Sequence, residues 1–335
     1  MMKLKRTKFF QVLLTAICLV IGRGAVTAGP NDSLEIYLSL GGSTLKKGQY
    51  NEAIPYLAAA LRLDSVNLTA LRNLGAAYGA TGRNDQARVY LEKADRLKPN
   101  DPETCNNLGA IYSNLDRPTD AIRYFEMAVA ADSNSAIYLT GLGGELLKIG
   151  RLQKALPNLQ RAQTLSPTNP LPSFLIGNCF AADKKYDSAV VYFEKSVELG
   201  GETAELFYFL GTAKRQRGDF EAAEKNFQKA IELRPSYKEC LQAMGLLLAQ
   251  KEKFVAAQPY FEKAIKVDSN FYPAWISLGA TAALTRQFAR ADTILYKLFH
   301  VDSTLGYQML ALIEMQKTKQ DNRRVADSVE QSRKK

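Results

Sequence analysis

Apolar residues recur along this chain in two helical rhythms that alternate. Counted from Leu34 in steps of 34, positions 4, 7, 8 and 11 are apolar or small in every step, save Lys214 at position 11 of the sixth. Positions 20, 24 and 27 follow the same rule, with a break near position 15. Spacings of three and four residues put each set on one face of a helix. Each step therefore predicts two helices, folded against each other as a hairpin. The break carries glycine in four steps, at Gly48, Gly82, Gly150 and Gly218, where a turn is needed. Position 32 is Pro99, Pro167 or Pro235 in three steps, which ends the second helix before the next step begins.

The period is visible in the letters themselves. Residues 73–100 read NLGAAYGATGRNDQARVYLEKADRLKPN, and residues 107–134 read NLGAIYSNLDRPTDAIRYFEMAVAADSN. Position 8 is glycine in all eight steps: Gly41, Gly75, Gly109, Gly143, Gly177, Gly211, Gly245 and Gly279. Position 20 is always alanine: Ala53, Ala87, Ala121, Ala155, Ala189, Ala223, Ala257 and Ala291. Residues this small let the two helices of a hairpin approach closely, so Gly177 is expected to be closed by the helix carrying Ala189. Large residues at position 7 and at position 24 (Leu57, Leu91, Phe125, Leu159, Phe193, Phe227, Phe261 and Leu295) fill the space around them.

This pattern resembles the tetratricopeptide repeat family, whose 34-residue signature runs W-x2-L-G-x2-Y, then A-x3-F, then P. WISLG at Trp275–Gly279 begins that signature, and Tyr78 and Tyr112 supply its tyrosine. The resemblance covers residues 34–305 as eight repeats. It implies an all-α solenoid, a right-handed superhelix of hairpins with a concave face lined by the first helix of each repeat. Residues 29–33 form a short leader. Residues 306–316 read as a capping helix, with Met309 and Leu312 at apolar positions and Ile313 where the repeats have a small residue. Residues 317–335 form a basic tail. Asp64, Asp132, Asp268 and Asp302 share position 31, at the corner between repeats, so they read as turn and cap residues and not as metal ligands or acid/base groups.

The first 28 residues differ in kind. Lys3, Lys5, Arg6 and Lys8 precede the apolar run FFQVLLTAICLVIG, and small residues follow at Val26 and Ala28. This is the layout of an export signal, cleaved near Gly29, and the run is shorter than the roughly 18–20 residues that span a bilayer. Retention of the signal would make it a membrane anchor.

The formal charge of +10 is concentrated at the ends of the chain. Residues 29–316 hold 32 basic and 31 acidic residues, so the repeats offer no net basic field for nucleic acid. Membrane contact is then confined to the basic tail or an uncleaved signal.

Chemistry is sparse. His300 is the only histidine, which leaves nothing to build a histidine triad or a multi-histidine metal site. Beyond the signal, Cys105, Cys179 and Cys240 lie two repeats apart, too far for the roughly 4.4–6.8 Å Cα separation of a disulfide, and read as buried small apolar residues. No phosphate loop or nucleophile elbow occurs. The sequence points to a protein that is not an enzyme and needs no metal or cofactor.

Positions 2, 5, 6, 9, 12 and 13 of each first helix remain outside the core, and the resemblance assigns them to the concave groove. Repeats two and three place Arg72, Asn73, Asn106, Asn107, Ser113 and Asn114 there. Repeats five and six place Leu171, Phe174, Asn178, Tyr208, Phe209 and Arg215. Asn73 and Asn107 share position 6, so their amides form two rungs of a ladder suited to an extended peptide backbone. Phe174, Tyr208 and Phe209 read either as ligand anchors or as packing against the neighbouring repeat. The carboxylate-clamp pattern of some family members is missing, because position 9 holds Gly42, Ala76 and Ala110. The expected function is an exported scaffold binding a protein or extended peptide, in the periplasm or cell envelope if the source is bacterial. The alternative is a glycan- or polymer-handling factor whose rings stack on sugars.

Overall fold

The structure is a computed structural model that describes residues 30–307, 309–311, 313–316 and 318. The export signal expected at 1–28, Leu312 and all of the basic tail but Thr318 lie outside the described residues. Among the described residues every regular element is an α-helix. The chain divides after Asn134 into two compact blocks. The first holds the hairpins α1 (Pro30–Lys46) with α2 (Tyr50–Leu63), α3 (Leu68–Ala80) with α4 (Asn84–Leu97), and α5 (Pro102–Asn114) with α6 (Pro118–Ala131). The second holds α7 (Ala136–Lys148) with α8 (Leu152–Leu165), α9 (Pro170–Ala182) with α10 (Tyr186–Glu198), and α11 (Ala204–Gln216) with α12 (Phe220–Leu233). It continues with α13 (Lys238–Gln250), α14 (Phe254–Val267), α15 (Tyr272–Leu284) and α16 (Phe288–Val301), and the described residues between 303 and 318 are also helical. Odd-numbered helices are the first of each repeat. Because α1 begins at Pro30, residues 30–33 of the expected leader belong to the first helix.

Position 15 makes the turn inside every hairpin. It has positive φ in all eight repeats, at 72° to 84° for Gly48, Gly82, Gly150 and Gly218 and at 54° to 62° for Asp116, Lys184, Glu252 and Arg286. The left-handed residue lets the next amide reach back over the helix end, as in Arg117 N–H to Tyr112 O at 2.9 Å and Lys185 N–H to Phe180 O at 2.8 Å. The four non-glycine residues hold this conformation at a cost of about 1–2 kcal/mol each.

Corners between repeats divide the labour between two positions. The position-31 carboxylates make the turn: Asp64 accepts from Val66 N–H at 3.1 Å, Asp132 from Asn134 N–H at 3.0 Å, and Asp268 from Asn270 N–H at 2.9 Å. The cap of the following helix comes three residues later, where Asn67, Asp101, Ser135, Asn169 and Thr203 accept from backbone amides of the first turn.

The alanine at position 20 is fully buried in every repeat. The glycine at position 8, however, is closed by the side chain at position 24. A Cβ on Gly177 would lie 2.5 Å from Phe193 Cδ1, and one on Gly75 would lie 2.5 Å from Leu91 Cγ. The helix carrying Ala189 does close over Gly177, but the contact is made one turn beyond Ala189, by the Phe193 ring, which leaves no room for a side chain. The last repeat departs from this rule. Met309 closes Gly279, and Ile294 sits in the core at 4% exposure, while Leu295, expected to fill that space, is only half-buried. Met309 and Ile313 are both buried in one cluster with Leu278, Ala282 and Leu298. At the other end, Leu40 at position 7 is 37% exposed, because among the described residues no earlier repeat packs against it.

Candidate functional site

Within each block, first helices of successive repeats lie side by side. Their exposed positions form one face, and the sequence-selected residues are distributed along it unevenly.

In the first block, Arg72 is engaged within the protein. Its guanidinium pairs with Asp101 at 3.2 Å and with Glu103 at 2.7 Å, tying α3 to the start of α5. Asp101 also receives Lys98 at 2.9 Å and the Thr104 hydroxyl at 2.8 Å. Burial would raise its carboxyl, but the hydrogen bonds from Lys98, Thr104 and Arg72 outweigh that and hold it at about 2. Asn73, Asn106 and Asn107 are half-buried and make no side-chain hydrogen bond to a described residue. Asn114 donates to Asn84 at 3.4 Å.

In the second block a pocket of about 440 Å³ opens between α9 and α11. Asn178, Ala181 and Ala182 line it from α9, Phe209, Thr212, Ala213 and Gln216 from α11, with Leu147 of α7 and Tyr186 of α10 at its margin. Most of these hold positions 6, 9, 12 and 13 of their repeats. Alanines at 12 and 13 leave the space that larger residues would fill. Asn178 Oδ1 is buried there without a hydrogen-bond donor. Two of the expected site residues, Asn178 and Phe209, thus meet in one cavity. Leu147, Ala182, Thr212 and Gln216 join them without having been singled out, although their register already placed them on the same face.

The aromatic residues form a packed row. Phe174 lies 5.9 Å from both Phe193 and Phe209, and Phe209 lies 5.1 Å from Tyr208, centroid to centroid. Tyr208 continues to Tyr237 at 5.1 Å and Phe227 at 6.2 Å. All three expected rings are half-buried and border the hydrophobic clusters. They bind the repeats to one another and line the pocket only through Phe209.

The thiols are not poised for chemistry. Burial pushes Cys105 and Cys179 up to about 11 and Cys240 up to about 12, so all three stay protonated at neutral pH. Among the described residues no group of three or more His, Cys, Asp or Glu side chains is placed to hold a metal ion, and no helix is long and apolar enough to cross a membrane.

No curated protein matches this chain at a significant level. Among solved structures, the chain resembles the Cut9–Hcn1 hetero-tetramer of the APC/C with a TM-score of 0.68 at 17% identity, over 75% of this chain and 51% of that one. It thus spans about half of that protein. A tetratricopeptide repeat protein from Parabacteroides merdae gives 0.58 at 15% identity, over 74% of this chain and 98% of that one. PilW, a type IV pilus biogenesis factor, gives 0.56 at 23% identity, over 63% and 97%. These likenesses concern the fold. Models described as tetratricopeptide repeat match residues 44–103, 107–170, 172–236 and 202–270. With the 34-residue register and the hairpin stack in each block, these matches show that the chain belongs to the tetratricopeptide repeat family.

Proposed function

We propose that this chain is an exported, non-catalytic scaffold of the cell envelope that binds an extended segment of a protein partner across its first helices, anchored in the pocket between α9 and α11. Asn178 carries this reading. A buried acceptor without a donor costs about 1–3 kcal/mol, and a backbone N–H of a bound segment would remove that cost. The surrounding pocket is mainly apolar, as expected for a side chain inserted beside a backbone hydrogen bond. The basic start and short apolar run of residues 1–28 support export. Sugar stacking has less support, because Phe174, Tyr208 and Phe209 already pack on one another and on Phe193, Phe227 and Tyr237.

The test is titration of the partner recovered from envelope fractions. Asn178→Ala should weaken binding by about 0.5–1.5 kcal/mol, the worth of one hydrogen bond. Ala182→Trp should fill the pocket and cost about 2 kcal/mol or more. Circular dichroism melts serve as the folding control. Unchanged affinity in both folded variants would contradict the site.

A further inference from the structure

The first-helix face of residues 135–316 is nearly free of charge. Over five repeats, positions 2, 5, 6, 9, 12 and 13 carry only Lys148, Glu205, Arg215 and Glu239 as charged residues. Glu205 is paired with Arg234, Lys148 lies 3.8 Å from Glu145, and Glu239 lies 4.0 Å from Lys238. Arg215 alone of the four has no described residue of opposite charge within ion-pair distance, although it is half-buried.

The same face also exposes large apolar side chains, beside the polar Lys148, Gln216, Glu239 and Gln250. On α7, α9, α11, α13 and α15 the large apolar side chains open to solvent are Ile137 (68%), Leu171 (46%), Leu246 (36%) and Leu284 (37%). All four stand at positions 2, 9 or 13, on the exposed stripe and not on the opposite side of the helices.

Arg215 and the pocket occupy opposite edges of α11. Phe209 at position 6 faces α9, as its contact with Phe174 shows. Tyr208 at position 5 faces the next repeat, through Tyr237. Arg215, two turns along from Tyr208, shares that edge and lies near enough to oppose the rise that burial imposes on the Tyr208 phenol. Adjacent helices are about 8–10 Å apart, and alternate residues of an extended strand point the same way about 7 Å apart. A strand crossing α11 can therefore place one side chain in the pocket and the next same-facing side chain at Arg215.

We infer that the occupant of this face is an extended, mainly apolar segment of a protein partner bearing one Asp or Glu side chain two residues from the apolar side chain that fills the pocket, with that carboxylate paired to Arg215. The inference rests on the proposed peptide-binding reading of the pocket. Covering Arg215 with an apolar segment lacking a counter-charge would strand a guanidinium away from water, which is strongly unfavourable. A carboxylate instead accepts two parallel N–H bonds from it. The apolar stripe continues beyond Arg215 to Leu246 and Leu284, so the segment runs through and its carboxylate comes from a side chain, not from a chain end.

The full chain is used to select from a displayed random-peptide library, and enriched peptides are resynthesised with both termini blocked. The expected consensus is apolar with one acidic residue two positions from an apolar anchor. Changing that Glu to Gln should weaken binding about tenfold. Arg215→Ala should abolish the Glu-over-Gln preference, Arg215→Glu should turn it into a preference for Lys, and Arg215→Lys should retain part of it. Enriched peptides that lose binding in Ala182→Trp yet show the same Glu-over-Gln preference in Arg215→Ala would overturn this inference and leave the peptide-binding reading intact. So would a basic consensus, or binding that requires a free C-terminal carboxylate. If no enriched peptide responds to Ala182→Trp, the peptide-binding reading itself fails, and this inference with it.

Discussion

Replacing Gly177 with leucine should destabilise the second block by about 3 kcal/mol, at the upper end of ordinary overpacking. The first atom of the new side chain would already stand 2.5 Å from Phe193 Cδ1 and 2.6 Å from Cε1. Phe193 has little room to retreat, because it is fully buried and packs against both Phe174 and Phe209 at centroid distances of 5.9 and 6.4 Å. In a stack of repeats the damage should spread mainly to the hairpins on either side. Gly144 supplies the control. It is also a first-helix glycine, but a Cβ there would meet only Leu175 Cδ1, at 3.6 Å. Gly144→Ala should therefore leave stability unchanged or raise it by up to about 1 kcal/mol through helix propensity. Removing the obstructing ring should relieve Gly177→Ala, so the double variant with Phe193→Ala should be less destabilised than the sum of its parts. Urea unfolding of these variants, the single Phe193→Ala included, is compared with that of the wild type. A Gly177→Leu variant with the wild-type midpoint would show that Phe193 does not close this crossing.

Asp101→Ala should cost about 2–3 kcal/mol, more than a helix cap alone is worth. The carboxylate is 4% exposed and collects Arg72, Lys98 and the Thr104 hydroxyl and amide, so its loss leaves several donors unanswered at once. The same contacts make stability depend on pH. The folded carboxyl, at about 2, lies below its ordinary value of 3.8. Such a group contributes stability that is complete above the unfolded value and is lost as pH falls through the folded one. The contribution is about 2 kcal/mol, and it should fade between about pH 4 and pH 2. Asp101→Asn should remove that part of the acid dependence while keeping the side chain's shape. Melting curves of the two proteins across this range should converge at the acid end. Parallel curves would show that the Asp101 charge is not what the contacts stabilise.

The register of the fold was legible because it is written in residues that tolerate no substitute. Alanine at position 20 is buried completely, and glycine at position 8 lies under a side chain. What lies under what was harder to read, since alanine at 20 and phenylalanine at 24 both belong to the opposing helix face and only the crossing geometry selects the ring. The turn at position 15 was half legible. Glycine marks it in four repeats, but Asp116, Lys184, Glu252 and Arg286 adopt the same left-handed conformation without announcing it. Corner carboxylates were recognised as turn formers, whereas the capping role falls to position 34, whose residue type varies from Asn67 to Thr203. The site was legible only as a stripe. Its pocket arises where Ala181 and Ala182 of α9 leave space facing Phe209 and Gln216 of α11, a coincidence across 34-residue spacings that no local motif records. Arg72 shows the same limit in reverse. Its position suggested a ligand contact, but its partners Asp101 and Glu103 stand about one repeat away in sequence and hold it within the protein.

The central claim is that partners dock on the first helices around Asn178, and site-specific photo-crosslinking tests it most directly. A photoreactive side chain at Gln216 lines the pocket. One at Val191, 61% exposed on the second helix α10, is open to solvent as Gln216 is but lies off that face. Irradiation in envelope preparations should join a protein partner to the Gln216 position and not to the Val191 position, and Ala182→Trp should abolish the product. Crosslinking from Val191 that survives Ala182→Trp, with none from Gln216, would place the partner on the second helices and contradict the account.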